Sequence, residues 1–136
     1  MADDALKVLV YSDDRNTREQ VRMALGRRPA SDLPPVEFVD AATDWAARDL
    51  LSKGGIALAI LDGEATPAGG LGVCRTVKEE IYGSPPILVV IGRPQDRWLA
   101  SWSRADGVVS HPIDPITTAA AAAELLRGQV AGGVAS

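Results

Sequence analysis

Three stretches of the chain are almost unbroken aliphatic runs of strand length: LKVLVY at 6–11, IALAIL at 56–61 and ILVVI at 87–91. Such runs suit parallel strands covered on both faces, because a strand with one face in water alternates apolar with polar residues. VEFV at 36–39 alternates, and GVVS at 107–110 is short, as edge strands often are. Between these runs the apolar period changes from two to about 3.6 residues, the spacing of a helix with one buried side. Val21, Ala24 and Leu25 recur in this way within 17–27, where Thr17 and Gln20 have the spacing of a capping box. Ala46, Ala47, Leu50 and Leu51 share one side of a helix over 44–53, and Val73, Cys74, Val77 and Ile81 line up within 70–82. A fourth helix over 95–105 groups Trp98, Leu99, Trp102 and Ala105, and an Ala-rich helix over 115–127 stops before Gly128.

Five repeats of strand then helix predict an α/β fold: a single doubly wound, five-stranded parallel sheet with helices on both faces. With 36–39 on the outside, the expected strand order is 2-1-3-4-5. A chain of 136 residues has the size of one domain, assigned here to 1–127, with 128–136 expected as a flexible tail. RRPASDLPP (27–35) reads as a surface loop. The net charge is −4 and Lys and Arg are scattered, which argues against the clustered basic face that nucleic acid requires. One cysteine cannot form an intrachain disulfide, so the expected compartment is the cytoplasm. No apolar stretch approaches the roughly 18 residues of a membrane span, so no membrane insertion is expected.

The chemistry gathers where the winding of such a sheet reverses, between strands 1 and 3, because a ligand crevice opens there at the carboxyl ends of the strands. The first strand is followed by Ser12, Asp13 and Asp14, and the third by Asp62. Taken alone, Asp13 and Asp14 are ordinary turn and N-cap residues. With Asp62 at the same crevice they read as an acidic pocket whose mutual repulsion a divalent cation would relieve. Oxygen ligands that leave room for water suit Mg²⁺.

On these residues, and on ADGVVSHPIDP (105–115) before the last helix, the chain resembles a CheY-like receiver domain of a two-component response regulator. The resemblance runs from Lys7 to about Arg127. It implies that Asp62 accepts a phosphoryl group, that Asp13, Asp14 and Asp62 bind Mg²⁺ with the backbone carbonyl of Glu64, and that the bond between His111 and Pro112 is cis. It also implies protein partners, among them a sensor histidine kinase, for a monomer or weak homodimer. Three positions depart from the family pattern. Ile91, with Gly92 next, stands where a Thr or Ser hydroxyl grips the phosphoryl group. Val108 replaces the aromatic residue that rotates inward, and His111 precedes Pro112 in place of Lys.

The expected function is therefore that of an atypical receiver that works through protein contacts and is not an enzyme. The alternative is a competent Mg²⁺-dependent phospho-acceptor in which His111 replaces the Lys. A small Mg²⁺-dependent phosphatase would want Asp-x-Asp after its first strand, where this chain has SDDR. Cys74, in the apolar stripe of its helix, reads as a structural thiol. Trp98 and Trp102 read first as packing against the sheet and second as a partner surface. Trp45 falls opposite the buried stripe of its helix and is a candidate partner contact. ATPAGGLG (65–72) lacks the P-loop spacing and its Lys, and is expected to be a flexible loop.

Overall fold

The computed structural model describes residues 5–65 and 69–133, with side chains as far as residue 130. Strands β1 (Leu6–Tyr11), β2 (Val36–Ala41), β3 (Leu58–Asp62), β4 (Ile87–Ile91) and β5 (Gly107–Ser110) alternate with helices α1 (Arg15–Leu25), α2 (Asp44–Lys53), α3 (Gly70–Glu80), α4 (Arg97–Ser103) and α5 (Pro115–Gly133). All four strand pairs are parallel and the order is β2-β1-β3-β4-β5, as the hydrophobic pattern predicts.

The aliphatic runs are continuous because alternate residues serve two separate cores. Leu9, Tyr11, Ala59, Leu61, Val89 and Ile91 face α2, α3 and α4, where they meet Ala47, Leu51, Val73, Cys74 and Val77. Val8, Val10, Leu58, Ile60, Leu88 and Val90 face α1 and α5, against Val21, Leu25, Ala122, Ala123 and Leu126. Cys74 is fully buried, and its Sγ lies 3.3 Å from the backbone oxygen of Ser103.

The structure corrects three local expectations. The N-cap of α1 is Asp14, whose carboxylate accepts the N–H of Asn16 at 2.8 Å, while Thr17 lies inside the helix. The capping box fails because the helix starts two residues earlier than its periodicity suggested. At the other end of the chain, α5 continues through Gly128 to Gly133, and Val130 packs against the α1–α5 core. One glycine costs a helix only about 1 kcal/mol, less than the apolar contact beyond it can return. Residues 134–136 of the expected tail lie outside the described residues, as do residues 66–68 of the expected loop before α3.

The third correction concerns α4. Trp98 and Trp102 are 67% and 47% exposed, and the residues this helix buries are Ala100 and Ser103. Small residues on the inner face let a seven-residue helix lie close to its neighbours, which leaves the indoles outside. The buried Ser103 hydroxyl is satisfied by donating to the Ala100 carbonyl at 2.7 Å.

Candidate functional site

Asp62 is the last residue of β3 and is only 4% exposed, so its carboxylate must find its partners within the protein. Three donors surround it. Ser12 Oγ donates to Oδ2 at 2.7 Å, the Glu64 backbone N–H donates to Oδ1 at 2.9 Å, and His111 Nε2 lies 3.1 Å from Oδ1. An ionised carboxylate only accepts, so the His111 contact is a hydrogen bond in the form that carries a proton on Nε2.

Each donor is fixed by its own strand end. Ser12 extends β1 by one residue, with its N–H bonded to the Ala41 carbonyl at 3.2 Å and its carbonyl accepting from Arg18 Nη1 at 2.6 Å. Its hydroxyl oxygen also accepts the Asp14 N–H at 3.0 Å, which ties the first turn of α1 to the same network. Arg18 and Arg22 both pair with Asp40 of β2, at 3.5 and 2.7 Å. His111 follows β5 directly, its N–H bonded to the Ile91 carbonyl at 2.8 Å, and the His111–Pro112 bond is cis as the resemblance implied.

A hollow of about 410 Å³ opens beside Asp62, lined by Asp13, Asp14, Thr17, Asp62, Glu64, Gly92 and His111. The acidic residues of two distant segments thus share one wall-to-wall site. They do not divide the work as their sequence adjacency suggested. Asp14 spends one oxygen on the α1 N-terminus, and it is Ser12 that reaches Asp62. Tyr11, buried between these elements, has its phenol pKa raised, chiefly by desolvation and then by the negative charges of Asp44, Asp13 and Asp62.

Sequence reasoning missed two hydroxyls, Ser12 and Thr17, both on the β1–α1 side. The available signal for Ser12 was strand alternation, which carries Val8 and Val10 on to position 12 on the same face. Ile91 is buried in the core and Gly92 brings no side chain. The space above Gly92 holds the Glu64 carboxylate instead, since a Cβ there would meet Glu64 Oε1 at 2.6 Å. Val108 is half-buried against the α2–α3–α4 core. None of the three tryptophans lines this hollow. Trp45, 69% exposed, borders a separate groove of about 310 Å³ between α2 and α3.

Among the described residues no three His, Cys, Asp or Glu side chains converge into a ready-made metal cage. The donor set is all-oxygen in an open hollow, and that fits Mg²⁺, which commonly keeps several waters and takes only one or two carboxylates. Among the described residues, no helix is long and apolar enough to cross a membrane.

Comparison with known proteins agrees with this geometry. No family model matches the chain. It is 53% identical over 123 residues to an uncharacterized response regulatory protein of Mycobacterium tuberculosis, found in two strains, covering 90% of this chain and 92% of that protein. A CheY-like receiver domain protein from Methanospirillum hungatei superposes with a TM-score of 0.73 at 17% identity, over 93% of this chain and 97% of that one. The signal receiver domain of an HD domain-containing protein from Pseudomonas fluorescens gives 0.77 at 17% identity, over 94% and 91%. The likeness to solved structures establishes the fold, and the mycobacterial relative establishes the family. The chain belongs to the response regulators of two-component signalling and has the CheY-like receiver fold.

Proposed function

We propose that this chain is an atypical receiver whose output is protein contact, with Asp62 as a slow phospho-acceptor whose modification is not relayed by the usual strand-end switch. The observation that supports it is the contrast across the hollow. Asp62 is held by three donors, Ser12, the Glu64 N–H and His111, while at the end of β4 Ile91 and Gly92 offer no hydroxyl and the Glu64 carboxylate occupies the space.

In the acceptor step an Asp62 oxygen bonds to the phosphorus of an acyl phosphate donor as the donor's own acyl–oxygen bond to phosphorus breaks. The donor leaves as its carboxylate, and no proton moves. Asp13, Asp62 and the Glu64 carbonyl would hold Mg²⁺, with Asp14 already committed to α1. When bound, the metal supplies charge neutralisation for the incoming phosphoryl group. His111 places a nitrogen against Asp62 Oδ1, and in its charged form offsets part of the negative charge there. Ser12 orients the carboxylate through Oδ2. A shift of state requires contacts that differ between states, and neither Gly92 nor Val108 carries a group that could make one with a phosphoryl oxygen.

Acetyl phosphate with Mg²⁺ and intact-mass detection tests this reading, with amide chemical shifts followed in parallel. The expected result is slow, single labelling that Asp62→Asn abolishes, with shift changes confined to the neighbourhood of residues 12–14, 62–64, 92 and 111. Labelling that persists in Asp62→Asn removes Asp62 from the acceptor role. Changes spreading through β5 and α4 restore a switching receiver in which His111 does the work of the Lys.

A further inference from the structure

Helix α2 turns one stripe toward α3 that the core does not use. Its buried positions are Ala47 and Leu51, while Trp45, Arg48, Asp49 and Ser52 recur at i, i+3, i+4 and i+7 along the groove of about 310 Å³. The buried Val77 lies beneath that groove. Its volume is at the low end for ligand pockets, which suits one aromatic side chain better than a whole small molecule. Both helices run antiparallel to the strands, so the first turn of α2 and the last turn of α3 lie at opposite ends of the groove. The two ends differ in chemistry. At the first, the Trp45 indole is largely exposed and its N–H has no protein partner among the described residues. At the second, beside Ile81, the exposed Glu80 carboxylate has no ion pair or hydrogen bond among the described residues. A negative charge is unfavourable at that end of a helix, so packing gives no reason for it. Helix α2 itself runs from Asp44 in its first turn to Lys53 in its last. Their ion pairs within the helix, with Arg48 and Asp49, are exposed ones of the kind that contribute little.

We propose that this face is a self-association surface, on which two copies of the chain meet about a two-fold axis and each Trp45 enters the groove of the other. A two-fold contact sets the same patch on both sides, so the patch must be complementary to itself. This one is so in shape, because the projecting indole and the groove belong to one face. It is so in charge, because the axis reverses α2 against its copy and brings Asp44 to Lys53 twice. It is so in hydrogen bonding as well. The same reversal carries each indole to the Ile81 end of the groove, where Glu80 offers the acceptor that a covered indole N–H requires. The helices are only 10 and 11 residues long, about 15 Å each, so the face falls short of the roughly 800 Å² per partner of a stable complex. Association is therefore reversible, with a dissociation constant on the order of 100 μM. The groove shares no lining residue with the hollow at Asp62, so this contact stands or falls apart from the acceptor reading. No residue of α4 lines it either, so a dimer offers two α4 faces to a partner and raises its avidity.

Sedimentation velocity on the whole chain from about 10 μM to about 1 mM tests the proposal, with amide shifts followed over the same range. Wild type is expected to move from monomer toward dimer mass, with concentration-dependent shifts confined to α2, α3 and Ile81. Trp45→Ala is expected to weaken association by roughly tenfold or more, and Trp45→Phe, which keeps a ring and loses the N–H, by less. A charge swap distinguishes a contact from a general loss of structure. Asp44→Lys alone and Lys53→Asp alone each set like charges together across the axis, and each is expected to weaken association by about threefold to tenfold. An equimolar mixture of these two variants is expected to associate as wild type does, because each supplies the charge that the other lacks. A wild type that stays monomeric to the highest concentration overturns the proposal. So does a dimer whose shifts fall in α4 or α5, or a mixture no tighter than the single variants. A monomer whose Trp45 indole signal shifts with an added Leu- and Lys-rich helical peptide also overturns it, and gives the groove to a basic partner instead.

Discussion

The ends of β1 and β3 and the ends of β4 and β5 lie side by side at the top of one sheet, yet they are built from different chemistry. The first pair closes a dense polar network, in which Ser12 and the Glu64 N–H meet at a buried carboxylate, Arg18 and Asp40 brace the loop behind it, and His111 reaches in from the end of β5. In the second pair β4 is aliphatic to its end at Ile91, with Gly92 beyond it and Val108 of β5 half-buried alongside. On the proposed reading, holding an acceptor and reporting its state are separable properties of this fold. A buried carboxylate requires donors whether or not it is ever modified, whereas a relay requires a group that can occupy two positions.

The sharpest probe of the quiet side is Cys74. It lies on α3 beneath α4, where burial pushes its thiol up to about 11 from an ordinary value of 9.0, against the smaller opposing effect of the contact with Ser103. A neutral thiol in the folded chain that ionises more readily when unfolded stabilises the fold fully below pH 9. That contribution is lost as pH rises toward 11. Near pH 8 the raised pKa lowers the thiolate fraction by about a hundredfold and burial blocks the reagent as well, so iodoacetamide should label native protein at least about a hundredfold more slowly than urea-unfolded protein. If α4 does not move on phosphorylation, acetyl phosphate and Mg²⁺ leave that rate unchanged. An acceleration would show that α4 lifts from α3, and the contrast between the two strand-end pairs would collapse.

The polar side is tested by Ser12→Ala. The substitution removes the donor to Asp62 Oδ2 and the acceptor of the Asp14 N–H in one step, and Asp62 is too buried for water to replace both freely. The expected loss is about 1–3 kcal/mol in urea unfolding, the range for a buried charged acceptor left short of a partner. A loss below about 0.5 kcal/mol, the scatter of ordinary surface changes, would mean that the network orients Asp62 without stabilising the fold.

How much of this was legible in the sequence follows the same division. Strand order and both cores could be read from continuous aliphatic runs, because burial on two faces leaves that signature in composition itself. The meeting of Asp62 with the β1 loop could be read from topology, because the crevice sits where the winding reverses. What escaped was the assignment of roles within three consecutive residues. Asp14 takes the N-cap place that was its plainer reading, and Ser12, which carried no expected role, is the residue that reaches Asp62; helix starts are poorly fixed by periodicity alone. The Glu64 carboxylate over Gly92 also escaped, since a side chain's direction on a turn is set by the space its neighbours leave. The indoles of α4 were misjudged for a related reason. A tryptophan pair four residues apart looks like a core stripe until Ala100 and Ser103 prove to be the inner face.

Those indoles provide the mildest test in stability and the most informative one in function. Trp102 already has an internal partner: Arg75 stacks on its ring at 4.8 Å and donates to its backbone carbonyl at 2.6 Å. Truncating it would therefore mix lost packing with lost binding. Trp98 is the more exposed of the two, so Trp98→Ala should change unfolding stability by no more than about 0.5 kcal/mol. If output depends on contact at α4, the same variant should weaken partner binding by roughly tenfold or more, the usual scale for a tryptophan anchor. Because the proposed readout bypasses the acceptor, that loss should be equal in Trp98→Ala with and without Asp62→Asn. A binding defect that appears only when Asp62 is labelled would reconnect the two ends of the sheet, and β4 and β5 would then carry a relay through side chains other than Ile91, Gly92 and Val108.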